Sequence, residues 1–233
     1  MTTVHERQEP PVRAVWTDFG GVCTPPVGDT MRVFSERVGV PQDLLQKAIA
    51  RVTEDAGLSD SMELLDTPLI TEAEWARRVE AVLAEEFGMS ADLGDPGEAW
   101  FGGRPANAVW VAHLRDLRAH GVFVGLLSNM VPTWERHWRA MVPPDGVFDA
   151  LVMSYQVGVR KPMREIFDHA AAVAGVPPEA CVLVDDLPAN CAGAVAAGWR
   201  AVEFKNTPKA VADVARLTGP GPDPANSQRG DVR

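Results

Sequence analysis

The sequence lacks any apolar run as long as the roughly 20 residues that a membrane-spanning helix needs. Its first residues, MTTVHERQEPPVR, also lack the apolar core of a secretory signal peptide. Basic residues are scarce, because 22 lysines and arginines stand against 32 acidic residues, for a formal net charge of -10. Such a surface would repel the phosphates of a nucleic acid. We therefore expect a cytoplasmic protein that binds neither membrane nor nucleic acid; the sequence leaves a monomer and a homodimer equally open.

Cysteine is also rare, and its pattern excludes a disulfide framework. The three cysteines are Cys23, Cys181 and Cys191, with no C-x-x-C pair among them. An odd number cannot pair completely, which fits a reducing compartment. The five histidines show no zinc-ligand spacing. These features disfavour both a disulfide-stabilised secreted domain and a zinc enzyme.

Short apolar runs that end in polar residues recur along the chain. They suit strands that are buried on both faces of a parallel sheet. The runs cover residues 14–18, 122–127, 148–153, 181–184 and 200–204. Helical patterns lie between them, at 106–120, 164–174 and 189–197. This alternation predicts right-handed crossovers and an α/β fold with a doubly wound parallel sheet.

One long interval breaks this alternation. It has helix-like segments near 30–38, 42–55 and 71–88 and no convincing strand, and Thr71 with Glu74 forms a capping box. Such a length exceeds that of a loop. We therefore predict a small all-helical cap domain at 27–104, inserted after the first strand into a core domain of 1–26 and 105–218. The segment 219–233, rich in Gly, Pro and polar residues, is predicted to be a disordered tail.

Polar residues that could carry chemistry stand at the ends of these runs or in the loops between them. In a doubly wound sheet, ligands bind at the carboxyl ends of the strands. The four segments are Asp18-Phe19-Gly20-Gly21-Val22, Leu127-Ser128-Asn129, Arg160-Lys161-Pro162 and Val184-Asp185-Asp186.

The order and spacing of these segments resemble the four motifs of the haloacid dehalogenase-like (HAD) hydrolases, over residues 13–204. The DFGGV start, the helical insertion, the LSN segment and DDLPANCAGA also resemble a narrower group. That group includes the amino-terminal phosphatase-like domains of soluble epoxide hydrolase and of acyl-CoA dehydrogenase family member 10. The resemblance implies a Rossmann-like core with a helical cap. It also implies a hydrolase that transfers the phosphoryl group of a small phosphorylated metabolite to an aspartate beside Mg²⁺.

The resemblance assigns the nucleophile and the metal ligands. Asp18 would form an aspartyl phosphate, as in other carboxylate-based covalent catalysis. Because a carboxylate repels a phosphate dianion, Mg²⁺ would bridge Asp18, the substrate and a second carboxylate. The motif match gives Asp186 as that second ligand, with Asp185 near it. Gly20 would offer its backbone carbonyl to the metal.

The resemblance also assigns the groups that bind the phosphoryl oxygens. These groups are Gly21, Ser128, Asn129 through its backbone amide, and Lys161. Ser128 and Lys161 would be catalytic together with Asp18, because donors and positive charge stabilise the transferring group.

Two neighbouring residues of these motifs carry weaker expectations. We expect Arg160 on the surface, since a charged residue is seldom buried. Asn190 either steadies the acidic loop or is a plain polar residue at a helix start.

The sequence departs from the phosphatase pattern at one position that matters. These phosphatases carry a second aspartate two residues after the nucleophile, where this chain has Gly20. That aspartate protonates the leaving oxygen, which is typically worth about 10²–10⁴-fold in rate. Three alternatives follow: substrates with good leaving groups such as acyl, enol or aryl phosphates; a proton from Thr24, Cys23 or a cap residue; or a binding or regulatory module that turns over weakly.

A further alternative is carbon–halogen hydrolysis. Dehalogenases of this superfamily also lack the second aspartate and use the nucleophilic aspartate without magnesium. Under that hypothesis the pair Asp185 and Asp186 has no evident role.

Overall fold

The computed structural model describes residues 10–219, which form an α/β fold around one parallel sheet. The strands are β1 (Ala14–Thr17), β2 (Phe123–Ser128), β3 (Ala150–Met153), β4 (Cys181–Asp185) and β5 (Arg200–Glu203). Their order across the sheet is β3-β2-β1-β4-β5, and every neighbouring pair is parallel. The predicted doubly wound sheet is therefore confirmed. Apart from Gly219, the predicted disordered tail lies outside the described residues.

Helices connect the strands and fill the long interval after β1. Within residues 10–219 the helices are α1 (Val27–Val38), α2 (Gln42–Asp55), α3 (Glu63–Asp66), α4 (Glu72–Phe87), α5 (Pro96–Phe101), α6 (Ala108–Ala119), α7 (Glu135–Met141), α8 (Ser154–Val157), α9 (Arg164–Ala174), α10 (Pro188–Ala196) and α11 (Thr207–Thr218). None of them is long and apolar enough to cross a membrane.

The central strands place their carboxyl ends side by side. Every residue of β1 and β4 is buried, as their uninterrupted apolar runs predict. Thr17 pairs with Leu126 of β2 on one side and with Val184 of β4 on the other. The amide of Asp18 then donates to the carbonyl of Val184 at 2.8 Å. The residues that follow β1 and β4 therefore leave the sheet next to each other.

The close approach of an aromatic ring to β2 explains one glycine of the core. Trp16 of β1 is fully buried on the face covered by α9 and α10. A Cβ atom on Gly125 of β2 would lie only 2.2 Å from its indole ring. Glycine at this position thus lets the ring lie flat against the neighbouring strand.

The interval from 27 to 104 is helical throughout its regular structure, as predicted. Helices α1, α2 and α4 match the expected segments, and Thr71 Oγ1 accepts a hydrogen bond from the Glu74 amide at 3.1 Å. The capping box is therefore confirmed on its threonine side. The short helices α3 and α5 are not predicted by the sequence. The domain boundaries themselves stay a prediction.

Apolar side chains of this helical interval share one core with a face of the sheet. Phe101 of α5 lies 6.3 Å from Phe19, the residue after Asp18, measured between ring centroids. It also meets Trp134 edge-on at 5.4 Å. Trp100 in turn stacks on Trp134 at 5.6 Å. This aromatic contact packs the end of the interval against the chain just past β1 and β2.

Candidate active site

Three carboxylates converge where β1 and β4 end. One oxygen from each of Asp18, Asp185 and Asp186 lies within 4.8 Å of the others. Asp18 and Asp185 are buried, and Asp186 is half-buried. The two acidic residues predicted to share a metal, Asp18 and Asp186, are therefore brought together.

A buried lysine ties two of these carboxylates together. Lys161 is 1% exposed, and its Nζ donates to Asp18 Oδ1 at 2.8 Å and to Asp185 Oδ2 at 2.5 Å. Burial works against its charge, but the two carboxylates outweigh that effect and raise the pKa of Lys161. The side chain is thus a fixed ammonium group that points into the site.

The two consecutive aspartates have different surroundings. Asp185 accepts hydrogen bonds from Lys161, from the Leu187 amide at 2.9 Å and from Asn190 Nδ2 at 3.1 Å to each oxygen. Asn190 thus steadies the acidic loop, which is the first of its two alternatives. Because these donors occupy the carboxylate of Asp185, Asp186 is the more available of the two aspartates for binding a metal.

Negative charge at the site exceeds the positive charge that Lys161 supplies. Burial, followed by the charges of Asp18 and Asp185, raises the pKa of Asp186 to about 7. Burial is also the main cause that raises the pKa of Asp18, against the opposing effect of Lys161. Three clustered carboxylates with one counter-charge are a donor set that suits a hard divalent cation such as Mg²⁺.

The loop after β2 is locked to the lysine loop. Asn129 Nδ2 donates to the Lys161 carbonyl at 2.9 Å, and Asn129 Oδ1 accepts from the Lys161 amide at 2.8 Å. Ser128, at the end of β2, is 2% exposed. The side chain of Asn129 is thus held against Lys161, and the role of its backbone amide toward an anion stays a prediction.

The whole arrangement can be compared with known proteins. A sequence model of the haloacid dehalogenase-like hydrolases matches residues 12–198, more than half of the chain. The chain belongs to this family. The predicted HAD-type hydrolase is thereby confirmed, whereas the narrower resemblance to soluble epoxide hydrolase and acyl-CoA dehydrogenase family member 10 stays a prediction.

Individual relatives are more distant. A phosphoserine phosphatase from Thermus thermophilus is 35% identical over 92 residues, and the match spans 39% of this chain and 37% of that enzyme. A family enzyme from Bacteroides thetaiotaomicron, solved with magnesium and inorganic phosphate, is 22% identical with a TM-score of 0.58, over 82% of this chain and 93% of its own. L-2-haloacid dehalogenase from Xanthobacter autotrophicus is 17% identical with a TM-score of 0.59, over 90% and 85% of the two chains. The two structures share the HAD fold with this chain.

Gly21 of this HAD hydrolase makes room for Asp186. Its φ is +71°, and a Cβ atom there would lie 2.1 Å from Asp186 Oδ2. Its amide, predicted to bind phosphate, donates to Thr24 Oγ1 at 3.0 Å. The geometry thus gives Gly21 a spacing role, and its contact with phosphate stays a prediction.

Replacement of Gly21 by alanine should weaken the binding of Mg²⁺. The added methyl group displaces the Asp186 carboxylate, and losses of this kind typically cost about 10–100-fold in metal affinity. Titration calorimetry with MgCl₂ measures the effect. Gly39→Ala is the matched control, because Gly39 has a similar φ of +68° with nothing within 4 Å of its Cβ position. Unchanged affinity in Gly21→Ala would rule out Asp186 as a ligand.

Gly20 has no structural need to be glycine. Its φ is not in the left-handed region, and a Cβ atom would make only ordinary contacts, 3.9 Å from Asp18 Oδ2 and 4.0 Å from Val27 Cγ2. Neither the backbone conformation nor the space around the Cβ position therefore explains why position 20 is glycine rather than aspartate.

The residues suggested as substitute proton donors are poorly suited to that task. Thr24 Oγ1 accepts from the Gly21 amide and donates to the Pro25 carbonyl at 3.2 Å. Burial and then the charge of Asp18 raise the pKa of Cys23 to about 12. A thiol with that pKa is neither an effective acid nor a nucleophile near neutral pH. All three cysteines are free and buried.

The expectation that Arg160 lies on the surface is wrong. Arg160 is 7% exposed and forms two hydrogen bonds with the carboxylate of Asp66, a residue of α3. The only signal in the sequence is the three-residue spacing of Asp60, Glu63 and Asp66, which would place three acidic groups on one face of a helix. Which cation they face is decided by the tertiary fold.

Proposed function

We propose that this HAD-like hydrolase is a magnesium-dependent phosphatase that acts on a small phosphorylated metabolite through an aspartyl phosphate on Asp18. The observation that carries the proposal is the buried contact of Lys161 Nζ with Asp18 and Asp185, with Asp186 beside them. An ammonium group bound to Asp18 would weaken that carboxylate as a general base, whereas beside a nucleophile it can offset the charge of a phosphoryl group.

Each residue of the site has a separate role in the proposed reaction. An oxygen of Asp18 attacks phosphorus, and the bond from phosphorus to the leaving oxygen breaks. Lys161, the Ser128 hydroxyl and the Asn129 amide hold the phosphoryl oxygens, on which negative charge accumulates in the transition state. Water then attacks the aspartyl phosphate and releases phosphate and free Asp18.

A metal completes this site. Asp18, Asp186 and the carbonyl of Gly20 would hold Mg²⁺, which when bound neutralises charge on the phosphoryl oxygens. The carboxylate cluster and the raised pKa of Asp186 support this assignment. The related enzyme from Bacteroides thetaiotaomicron solved with magnesium and phosphate is consistent with it.

The proposed substrates are phosphates with good leaving groups. Gly20 supplies no proton, and the hydrogen bonds of Thr24 and the pKa of Cys23 argue against a neighbour that replaces it. Acyl, enol and aryl phosphates need that proton least. Residues 27–104 would act as the cap and select among such substrates.

Dehalogenation is the second candidate, and Gly20 is the observation that favours it. Asp185 has a role as a partner of Lys161 in either chemistry. Asp186 therefore discriminates between the two, because only the phosphatase mechanism needs a second metal ligand.

Removal of divalent metal should abolish hydrolysis of p-nitrophenyl phosphate or acetyl phosphate. Loss of the metal removes several kcal/mol of charge stabilisation, which corresponds to a fall on the order of 10²-fold or more. The measurement is turnover after EDTA treatment, with Mg²⁺ added back as the control. Asp186→Ala should reproduce the loss and resist the rescue. Turnover of a 2-haloacid in EDTA would replace the phosphatase proposal with the dehalogenase.

A non-enzymatic role has its own test. Beryllium fluoride mimics the phosphoryl group of an aspartyl phosphate, so in the presence of Mg²⁺ it should raise the melting temperature of a working enzyme, since tight binding to the native state stabilises it. The absence of any increase would favour a binding or regulatory module.

A further inference from the structure

The residue next to the active-site lysine is anchored in the helical interval after β1. Arg160 Nε donates to Asp66 Oδ1 at 2.9 Å, and its Nη2 donates to Asp66 Oδ2 at 2.8 Å. Nη2 also reaches Asp60 Oδ2 at 2.8 Å, and Nη1 lies 3.5 Å from Glu63 Oε2. Asp66 is fully buried. We call Asp60, Glu63 and Asp66 the acidic turn.

The same turn is also linked to the loop after β2, through Ser154 of α8. The carbonyl of Asp66 accepts a hydrogen bond from Ser154 Oγ at 2.6 Å. That hydroxyl in turn accepts from the amide of Met130 at 3.1 Å. Met130 directly follows Asn129, whose side chain is bonded to the backbone of Lys161 on both sides. Two loops of the site thus meet at one acidic turn.

We propose that the acidic turn is a positioning element of the active site, which holds Lys161 through Arg160 and the Ser128–Asn129 loop through Ser154. Its effect on rate depends on the proposed phosphatase function, whereas its effect on the position of Lys161 does not.

The energetics favour positioning over simple stabilisation. A buried ion pair contributes little net stability, because the cost of desolvating two charges offsets their attraction. Two parallel hydrogen bonds from one guanidinium do fix a geometry. Arg160 directly precedes Lys161 in the chain, so fixing its guanidinium to Asp66 restrains the backbone on one side of Lys161.

Amide hydrogen exchange of the full-length, metal-free chain tests the positional part. Asp66→Asn removes the charge that holds Arg160, and we expect the Lys161 amide to exchange at least ~10-fold faster, because its opening free energy falls by about 1.4 kcal/mol or more. Because removal of one partner of a buried pair also lowers global stability, the amides of β1 and β4 should accelerate by less than that of Lys161. Asp168→Asn, which removes the exposed ion pair with Arg164, is the matched control and should leave Lys161 unchanged. Equal acceleration of Lys161, β1 and β4, or no acceleration at Lys161, would overturn the proposal.

Kinetics test the functional part. We expect Asp66→Asn to lower kcat for p-nitrophenyl phosphate by roughly 10²-fold with little change in KM, since a misplacement of about 1 Å can cost that much. Arg160→Lys, which keeps one charged contact, should be less impaired. If Asp66→Asn does not fold, Asp60→Asn removes a half-exposed partner of Arg160 and should lower kcat by a smaller factor. Equal kcat values in Asp66→Asn and Asp168→Asn would contradict positioning.

The two proposals fail in different ways. A wild-type chain with no magnesium-dependent turnover would disprove the phosphatase function, and the exchange of the Lys161 amide would still decide the role of the acidic turn. A wild-type chain that turns over, with Asp66→Asn equally active and Lys161 equally protected, would disprove the acidic turn alone.

Discussion

Asp18→Asn should lose essentially all hydrolysis of p-nitrophenyl phosphate. An amide is a very poor nucleophile toward phosphorus, and loss of a nucleophile in covalent catalysis costs on the order of 10⁴-fold or more in kcat. The fold should survive, because Lys161 keeps Asp185 as a buried partner at 2.5 Å. Steady-state kinetics with Mg²⁺ measures the loss, and circular dichroism verifies the fold.

The same variant tests the covalent intermediate. Wild type rapidly quenched in acid during turnover should carry phosphate that hydroxylamine releases, as an acyl phosphate does, and Asp18→Asn should carry none. Cys23→Ala is the matched control, since Cys23 is the nearby thiol and its pKa of about 12 makes it unreactive. If acid-quenched Asp18→Asn also carried bound phosphate, the nucleophile would be another residue.

The positions of Asp18 and the acidic pair can be predicted because they lie where buried strands end. A parallel sheet aligns the carboxyl ends of its strands, so Asp18 and Asp186 must approach each other once β1 and β4 are neighbours. The spacing of the apolar runs predicts those strands without further information. The resemblance implies that Lys161 acts together with Asp18, and the structure brings the two side chains into contact.

The sequence does not predict which carboxylates pair with Lys161 and Arg160. Lys161 has a second carboxylate partner in Asp185, and Arg160 faces Asp60 and Asp66, about a hundred positions earlier in the chain. Both contacts depend on how loops pack, and neither has a local pattern. A charged residue such as Arg160 usually lies on the surface. Here the ion pair with Asp66 allows it to be buried.

The short helices α3 and α5 are also not predicted by the sequence pattern. Helices α3 and α5 have four and six residues, too few for a hydrophobic period to be visible. Helix α11 is longer, and its start did carry a signal: Asn206 caps it by accepting from the Lys209 amide at 3.0 Å, and Pro208 lies in its first turn. An asparagine followed by a proline two residues later was therefore a usable marker.

Gly20→Asp should make the enzyme competent toward alkyl phosphates. Their alkoxide leaving group needs a proton, and a positioned acid typically contributes about 10²–10⁴-fold. We therefore expect the ratio of kcat/KM for an alkyl phosphate to that for p-nitrophenyl phosphate to rise by about that factor. Space around position 20 permits a Cβ atom, whose nearest contact would be Asp18 Oδ2 at 3.9 Å.

The surroundings of position 20 should also give the new carboxyl group a suitable pKa. The Cβ of the new residue would lie 3.9 Å from Asp18 Oδ2, and a nearby negative charge raises the pKa of an acid. The added aspartate would then keep its proton closer to neutral pH, as a general acid requires. Gly20→Asn has nearly the same size and no acidic proton, so it should leave the ratio of the two substrates unchanged. If aspartate and asparagine shift the ratio equally, proton donation is not what the glycine removes, and the preference for good leaving groups must come from the residues that surround the leaving group.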